Sequence, residues 1–201
     1  MGFAHHGAGA AHATPWWDES VIIWVNGPFG AGKTTLVEEL RERLPGALVL
    51  DPEELGSVVR EVVPPPPSGD FQDLPVWRDL VLAAIASIRR HHEGTLLVPM
   101  TLVVPAYLEE IVGGAVAAGE PVHHVWLDVP AEVLRQRIQT QVLVDEPGHN
   151  ARIAAWRTAQ IERCLTARAH LPAGTIVLDG TQPVARVATA LLREVDLAKR
   201  E

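Results

Sequence analysis

The chain has 201 residues, 47% hydrophobic and 21% charged, a balance that supports a sizeable core and excludes a disordered polymer. Its formal net charge of -8 argues against general nucleic-acid binding, which wants a basic surface, and no apolar run approaches the ~20 residues of a membrane span. The single cysteine, Cys164, has no partner for an internal disulfide, so the expected setting is a reducing cytoplasm.

Residues 1–19 are small, polar and dotted with histidines. They lack the basic start and apolar stretch of a secretion signal and read as a loose arm ahead of one domain, 20–201. The run SVIIWVN at 20–26 is β-branched and aromatic throughout, which suits a strand buried on both faces. A glycine-rich loop follows. Over 33–44 the spacing puts Leu36, Val37, Leu40 and Leu44 on one helical face, and Pro45-Gly46 ends that helix. ALVL at 47–50 is a second strand. Asp51-Pro52 then opens a short helix, with Asp51 at the N-cap.

Pro64 to Pro67 impose a loop, since four prolines donate no backbone hydrogen bonds. The pattern then predicts a long helix over 74–92, a third strand at 95–98 and a helix over 106–118 weakened by Gly113-Gly114. A fourth strand at 122–127 and a helix over 130–141 come next. A polar break at 144–150 precedes a helix over 151–169, a fifth strand at 175–178 and a last helix from 183 to about 199. Five short apolar strands alternating with helices predict an α/β fold, a parallel sheet with helices on both faces in three α/β/α layers.

Gly27, Pro28, Phe29, Gly30, Ala31, Gly32, Lys33 and Thr34 fit the pattern G-x-x-x-x-G-K-[ST] of a phosphate-binding loop, with Thr35 just inside the helix. The context agrees, because a buried strand precedes the loop and an amphipathic helix follows. In such a loop the backbone N–H groups and the helix N-terminus cradle phosphate oxygens. Lys33 reaches the β- and γ-phosphates, and Thr34 offers its hydroxyl to Mg²⁺. The chain otherwise chooses arginine: Lys33 and Lys199 are its two lysines among 17 basic residues, so the compact ammonium at Lys33 is a selective choice.

No N-K-x-D run marks a switch GTPase. The third strand ends LLVPMT without an acid, unlike motor-type ATPases, so Mg²⁺ is expected to rest on Thr34, phosphates and water. Asp51 ends the second strand, beside the crevice of an open α/β sheet. There it either orients an acceptor hydroxyl and takes its proton or only caps its helix, and the two roles can coexist.

The segments IIWVNGPFGAGKT, LVLDPEELG, FQDLPVWRDL, LLVPMTLVVP, VHHVWL and WRTAQIERC run collinearly over about residues 21–181. Together they resemble the tunicamycin-resistance protein family, whose wider group includes chloramphenicol phosphotransferase, shikimate kinase and nucleotide kinases. That resemblance implies a P-loop NTPase fold of nucleoside/nucleotide-kinase type, with a five-stranded parallel sheet and a small lid over about 138–155. It implies ATP and Mg²⁺ as cofactors, and a phosphotransferase acting on the hydroxyl of a small molecule, with tunicamycin as the candidate. The alternative is a protein that sequesters the antibiotic, with ATP gating its affinity.

By the same resemblance, Asp51 is the acceptor-facing acid, and Arg137 in VPAEVLRQRI matches an arginine that packs on the adenine and phosphate side. A second lid arginine is expected four residues later, where this chain has Gln141; Arg135, Arg152 and Arg157 are its candidate substitutes. Thr181 and Gln182 resemble a segment that passes beside the adenine, and equally fit an ordinary turn before the last helix. Phe71, Gln72, Trp77 and Arg78 fall where the kinase group covers its acceptor, with Met100 and Thr101 lining the same crevice. The competing reading makes Phe71 and Trp77 core anchors. His123 and His124 point to opposite faces of a strand and cannot share an ion, so no structural metal is expected.

Overall fold

The computed structural model describes residues 20–142 and 147–198. Residues 1–19, the expected arm, residues 143–146, within the expected lid, and residues 199–201 lie outside the described residues. β1 (Ile22–Asn26) is buried along its whole length. The cause is its alternation: Ile23 and Val25 face one apolar cluster, Ile22 and Trp24 the other.

All pairings are parallel, and the order is β2-β3-β1-β4-β5, with β2 (Leu48–Val49), β3 (Leu96–Pro99), β4 (Val122–Asp128) and β5 (Ile176–Asp179). The first cluster joins β1 to α1 (Lys33–Arg43), α6 (Ala131–Thr140), α8 (Ile161–Ala167) and α9 (Val184–Ala198). The second joins it to α2 (Pro52–Val62), α3 (Pro75–His91) and the helix that follows β3. These are the three layers and five strands expected, and every strand carries its C-terminal end toward one rim of the sheet.

Several boundaries differ for local reasons. β2 contracts to two half-exposed residues because it is an edge strand with β3 as its one neighbour. The helix after β3 runs as α4 (Pro105–Leu108), a π-helical stretch Glu109–Gly113 and α5 (Gly114–Ala117). Its glycine pair is a packing device rather than a mere weakness. A Cβ on Gly114 would stand 2.9 Å from the Leu82 side chain on α3. The long helix expected over 151–169 is divided at Gln160 into α7 (Pro147–Ala159) and α8, and α7 begins inside the expected polar break. Among the described residues no helix is long and apolar enough to cross a membrane.

Candidate functional site

The loop between β1 and α1 needs glycine at two points. Gly27 has φ 147°, and a Cβ there would meet the Leu127 carbonyl of β4 at 3.1 Å. Gly32, the N-cap of α1, sits in the left-handed region at φ 98°. It offers no capping side chain, and the first turn of α1 holds no acid. The first-turn N–H groups therefore lack both a helical partner and a capping partner, and the positive end of the helix is left for an external anion.

Asn26 fixes where the loop starts. Its Oδ1 accepts from the N–H of Gly27 at 2.8 Å and of Leu102 at 3.0 Å, and its Nδ2 donates to the Leu102 carbonyl at 2.7 Å. His124 of β4 completes the set, with Nε2 3.2 Å from Asn26 Nδ2 and Nδ1 2.8 Å from the Thr175 hydroxyl. Burial drops the His124 pKa to about 4, so the ring is neutral and takes part as a structural hydrogen-bonding group.

The Lys33 ammonium donates to the carbonyls of Gly27 (3.1 Å) and Pro28 (3.0 Å) and to the Thr101 hydroxyl (2.6 Å). Thr101 in turn donates to the Gly27 carbonyl at 2.9 Å. Burial lowers the Lys33 pKa to about 8, against the opposing pull of Glu53 and Asp51. Thr101, two residues beyond β3, thus places a hydroxyl on Lys33 at a strand end that carries no acid.

A cleft of about 590 Å³ opens over this loop. Lys33, Thr34 and Thr35 line it from α1, Asp51 and Glu53 from the start of α2, and Arg137 from α6. Asp51 caps α2 as the sequence suggests, accepting from the Glu53 N–H at 2.9 Å, and it also faces the cleft. The Arg137 guanidinium bridges the loop and the turn after β5, with Nη2 3.0 Å from the Gly180 carbonyl and Nη1 3.3 Å from that of Ala31. In that turn the Asp179 carboxylate accepts from Thr181 N–H (2.9 Å), Thr181 hydroxyl (2.6 Å) and Gln182 Nε2 (2.9 Å), which holds its pKa below the usual value. Gln182 lines the cleft.

Of the acceptor-side group, Phe71, Gln72, Trp77, Arg78 and Met100 do not line this cleft, whereas Thr101 reaches it through its bond to Lys33. Trp77 has no exposed surface, donates from Nε1 to the Pro52 carbonyl at 2.9 Å and belongs to the second core cluster with Met100. Phe71 meets Trp77 edge-on at 5.2 Å and fills the space that glycine leaves at Gly56. Arg78 is buried, ion-paired with Glu110, bonded to the Gln72 carbonyl at 2.6 Å and stacked over Tyr107 at 4.2 Å. The packing favours the core-anchor reading for Phe71 and Trp77. Their apolar bulk is worth more between α2 and α3 than at a wet rim.

Two further charged residues line the cleft: Glu53, which the sequence reading did not single out, and Arg157, one of its three candidate substitutes for a lid arginine. Glu53 lies two residues after Asp51 at the same helix start, a visible signal. Arg157 depends on α7 folding back over the loop, which no local pattern encodes. Of the other candidate arginines, Arg135 pairs with Glu162 at 3.4 Å on the surface, and Arg152 is exposed and outside the cleft lining. Among the described residues no group of three or more His, Cys, Asp or Glu side chains could hold a metal ion.

An AAA-domain family model matches residues 22–166 of the chain. The Deinococcus radiodurans tunicamycin resistance protein is 32% identical, with 88% of this chain and 96% of that one covered and a TM-score of 0.64. A gluconokinase from Sinorhizobium meliloti 1021 is 20% identical over 92% of this chain and 95% of its own, with a TM-score of 0.62. The shikimate kinase of Bacteroides thetaiotaomicron is 16% identical over 88% and 98%, at 0.54; these two likenesses speak for the fold alone. Among curated proteins none matches. A phosphate loop on an uncapped helix, an all-parallel five-stranded sheet and these relatives agree: the chain belongs to the tunicamycin-resistance family of P-loop, kinase-like AAA-domain proteins.

Proposed function

We propose that the protein binds ATP with Mg²⁺ in this cleft and transfers the terminal phosphoryl group to a hydroxyl of a small molecule, with tunicamycin as the candidate acceptor. One observation carries the reading: a single cleft joins the phosphate loop, with Lys33 and Thr34, to the acids Asp51 and Glu53 at the start of α2. The cytoplasm, where ATP is abundant, is the setting that follows from it.

Thr34 fits a metal that arrives with its nucleotide, since its exposed hydroxyl lines the cleft beside Lys33. When bound, Mg²⁺ supplies positive charge to the β- and γ-phosphate oxygens. Lys33 turns from its own loop carbonyls to those oxygens. Arg137 and Gln182 fix the end of the cleft where the base lies. Asp51 keeps one oxygen on the Glu53 N–H and offers the other to the acceptor hydroxyl. The hydroxyl oxygen bonds the γ-phosphorus, the bond from that phosphorus to the bridging oxygen breaks, and ADP leaves with the electron pair. The hydroxyl proton passes to Asp51.

The test compares wild type with Asp51→Asn on ATP–Mg²⁺ and tunicamycin. The variant is expected to keep its ATP affinity and lose phosphoryl transfer by roughly 100- to 10,000-fold. Undiminished transfer would remove Asp51 from the chemistry. Sequestration is the second reading, favoured by the absence of an acid at the end of β3. Its signature is ATP-dependent tunicamycin binding without a phosphorylated product.

A further inference from the structure

Lys33 and Arg157 flank one aromatic ring. Phe29, third in the phosphate loop, has the Lys33 ammonium 5.6 Å and the Arg157 guanidinium 5.3 Å from its centroid. The two cations are close enough for Arg157 to help depress the Lys33 pKa, and burial depresses that of Arg157 itself. Glu53 is the acid that pulls both back. Two partly desolvated cations facing one carboxylate make a place where an arriving anion is stabilised.

Arg157 is held there by two contacts. Its Nη1 donates to Gln141 Oε1 at 3.1 Å, across 16 residues of chain. Its guanidinium lies over Phe29, while the adjacent Trp156 meets the same ring edge-on at 5.2 Å and 66°. Consecutive residues of α7 thus dock on the phosphate loop, and Gln141, which ends α6, orients one of them, Arg157. The position within the cleft also matters. Arg137 is committed to the Gly180 side, whereas Arg157 shares Glu53 with Lys33, beside Asp51.

We propose that Arg157 is the second phosphate-contacting cation of the cleft, and that Gln141 and Phe29 are positioning residues that hold its guanidinium against the terminal phosphate of a nucleoside triphosphate. The site thereby distinguishes a triphosphate from a diphosphate. This rests on the nucleotide-binding reading above. A planar fork stacked on an aromatic face and fixed at one nitrogen is preorganised for phosphate oxygens. Glu53 serves as the counter-ion until the phosphate arrives.

The experiment is calorimetric titration of the full chain with β,γ-imido-ATP and with ADP, each with Mg²⁺. Arg157→Ala is expected to weaken the triphosphate analogue by roughly 10- to 100-fold and ADP by less than about 3-fold. Gln141→Ala loses part of the same selectivity, since the fork is loosened rather than removed. Arg157→Lys, which keeps charge and bulk, serves if the alanine variant unfolds, and it too loses selectivity because it lacks the planar fork. Unchanged selectivity in a folded Arg157 variant, or equal loss for both nucleotides, overturns the assignment. A wild-type protein that binds neither nucleotide overturns the nucleotide reading, and the role of Arg157 with it.

Discussion

Lys33 is enclosed by three oxygens of its own protein, yet among the described residues no carboxylate stands at hydrogen-bond distance from it, and burial holds its pKa near 8. The charged form is what a phosphate recruits. Binding an anion beside Lys33 favours the ammonium and raises its pKa back toward the ordinary 10.5. Between pH 8 and about 10, nucleotide binding must then take up a proton, and affinity must fall as the pH rises through the free-protein value. Calorimetry at pH 8.5 in buffers of different ionisation enthalpy measures that uptake; a wild type without it, or a Lys33→Met variant that retains it, contradicts the account. At this scale the geometry of the glycine loop was legible in the sequence. Lys33, Thr34 and the glycines are contiguous, so their spacing alone fixes their geometry. Glu53 escaped notice, and Arg157 could be named only as one of three candidate lid cations, because their place depends on where two helices come to rest.

The elements set the angle of those helices. α2 begins at Asp51-Pro52, and the Trp77 indole of α3 donates to the Pro52 carbonyl while filling the core behind it. The hydrogen bond ties the start of α2, and with it both cleft acids, to α3. Trp77→Ala is expected to cost about 3–5 kcal/mol of stability through the cavity it leaves. Urea unfolding measures this, and a loss under about 1 kcal/mol would show that Trp77 is not the anchor described. The strands and most helices were legible because buried parallel strands read as continuous apolar runs and amphipathic helices show their period. β2 was overestimated, since an edge strand is cut short by geometry rather than composition. The break at Gln160 was invisible, because residues 151–169 carry no glycine or proline to mark it. The acceptor-side group left two readings open for a related reason: an aromatic residue after a proline loop looks alike in sequence whether it faces a ligand or a core.

Across the whole molecule, one chain of hydrogen bonds, buried at the loop end and reaching the surface at Thr175, ties the phosphate loop to the β5 side of the sheet. It runs from the Gly27 N–H through Asn26 and His124 to Thr175, whose hydroxyl donates to the Pro172 carbonyl at 2.7 Å. The Thr175 proton is committed to Pro172, so His124 Nδ1 carries the hydrogen and Nε2 accepts from Asn26. Protonating Nε2 would face one donor with another. His124 titrates near 4 when folded and near 6.5 when free, so the unfolded chain binds the proton first. Its contribution is present above pH 6.5 and is lost as the pH falls toward 4, in all about 3 kcal/mol. Urea midpoints for wild type and His124→Gln should converge in their pH dependence above 6.5 and separate below it; parallel curves throughout would contradict this. Strand order, layers and rim all serve to bring a phosphate loop and a pair of acids to one cleft, and transfer between them is the central claim. The measurement that tests it most directly is the mass of tunicamycin after incubation with the protein, ATP and Mg²⁺. The account predicts a gain of about 80 Da, one phosphoryl group, that disappears with Lys33→Ala. Drug of unchanged mass, while ATP is bound and the drug occupies the protein, would contradict it.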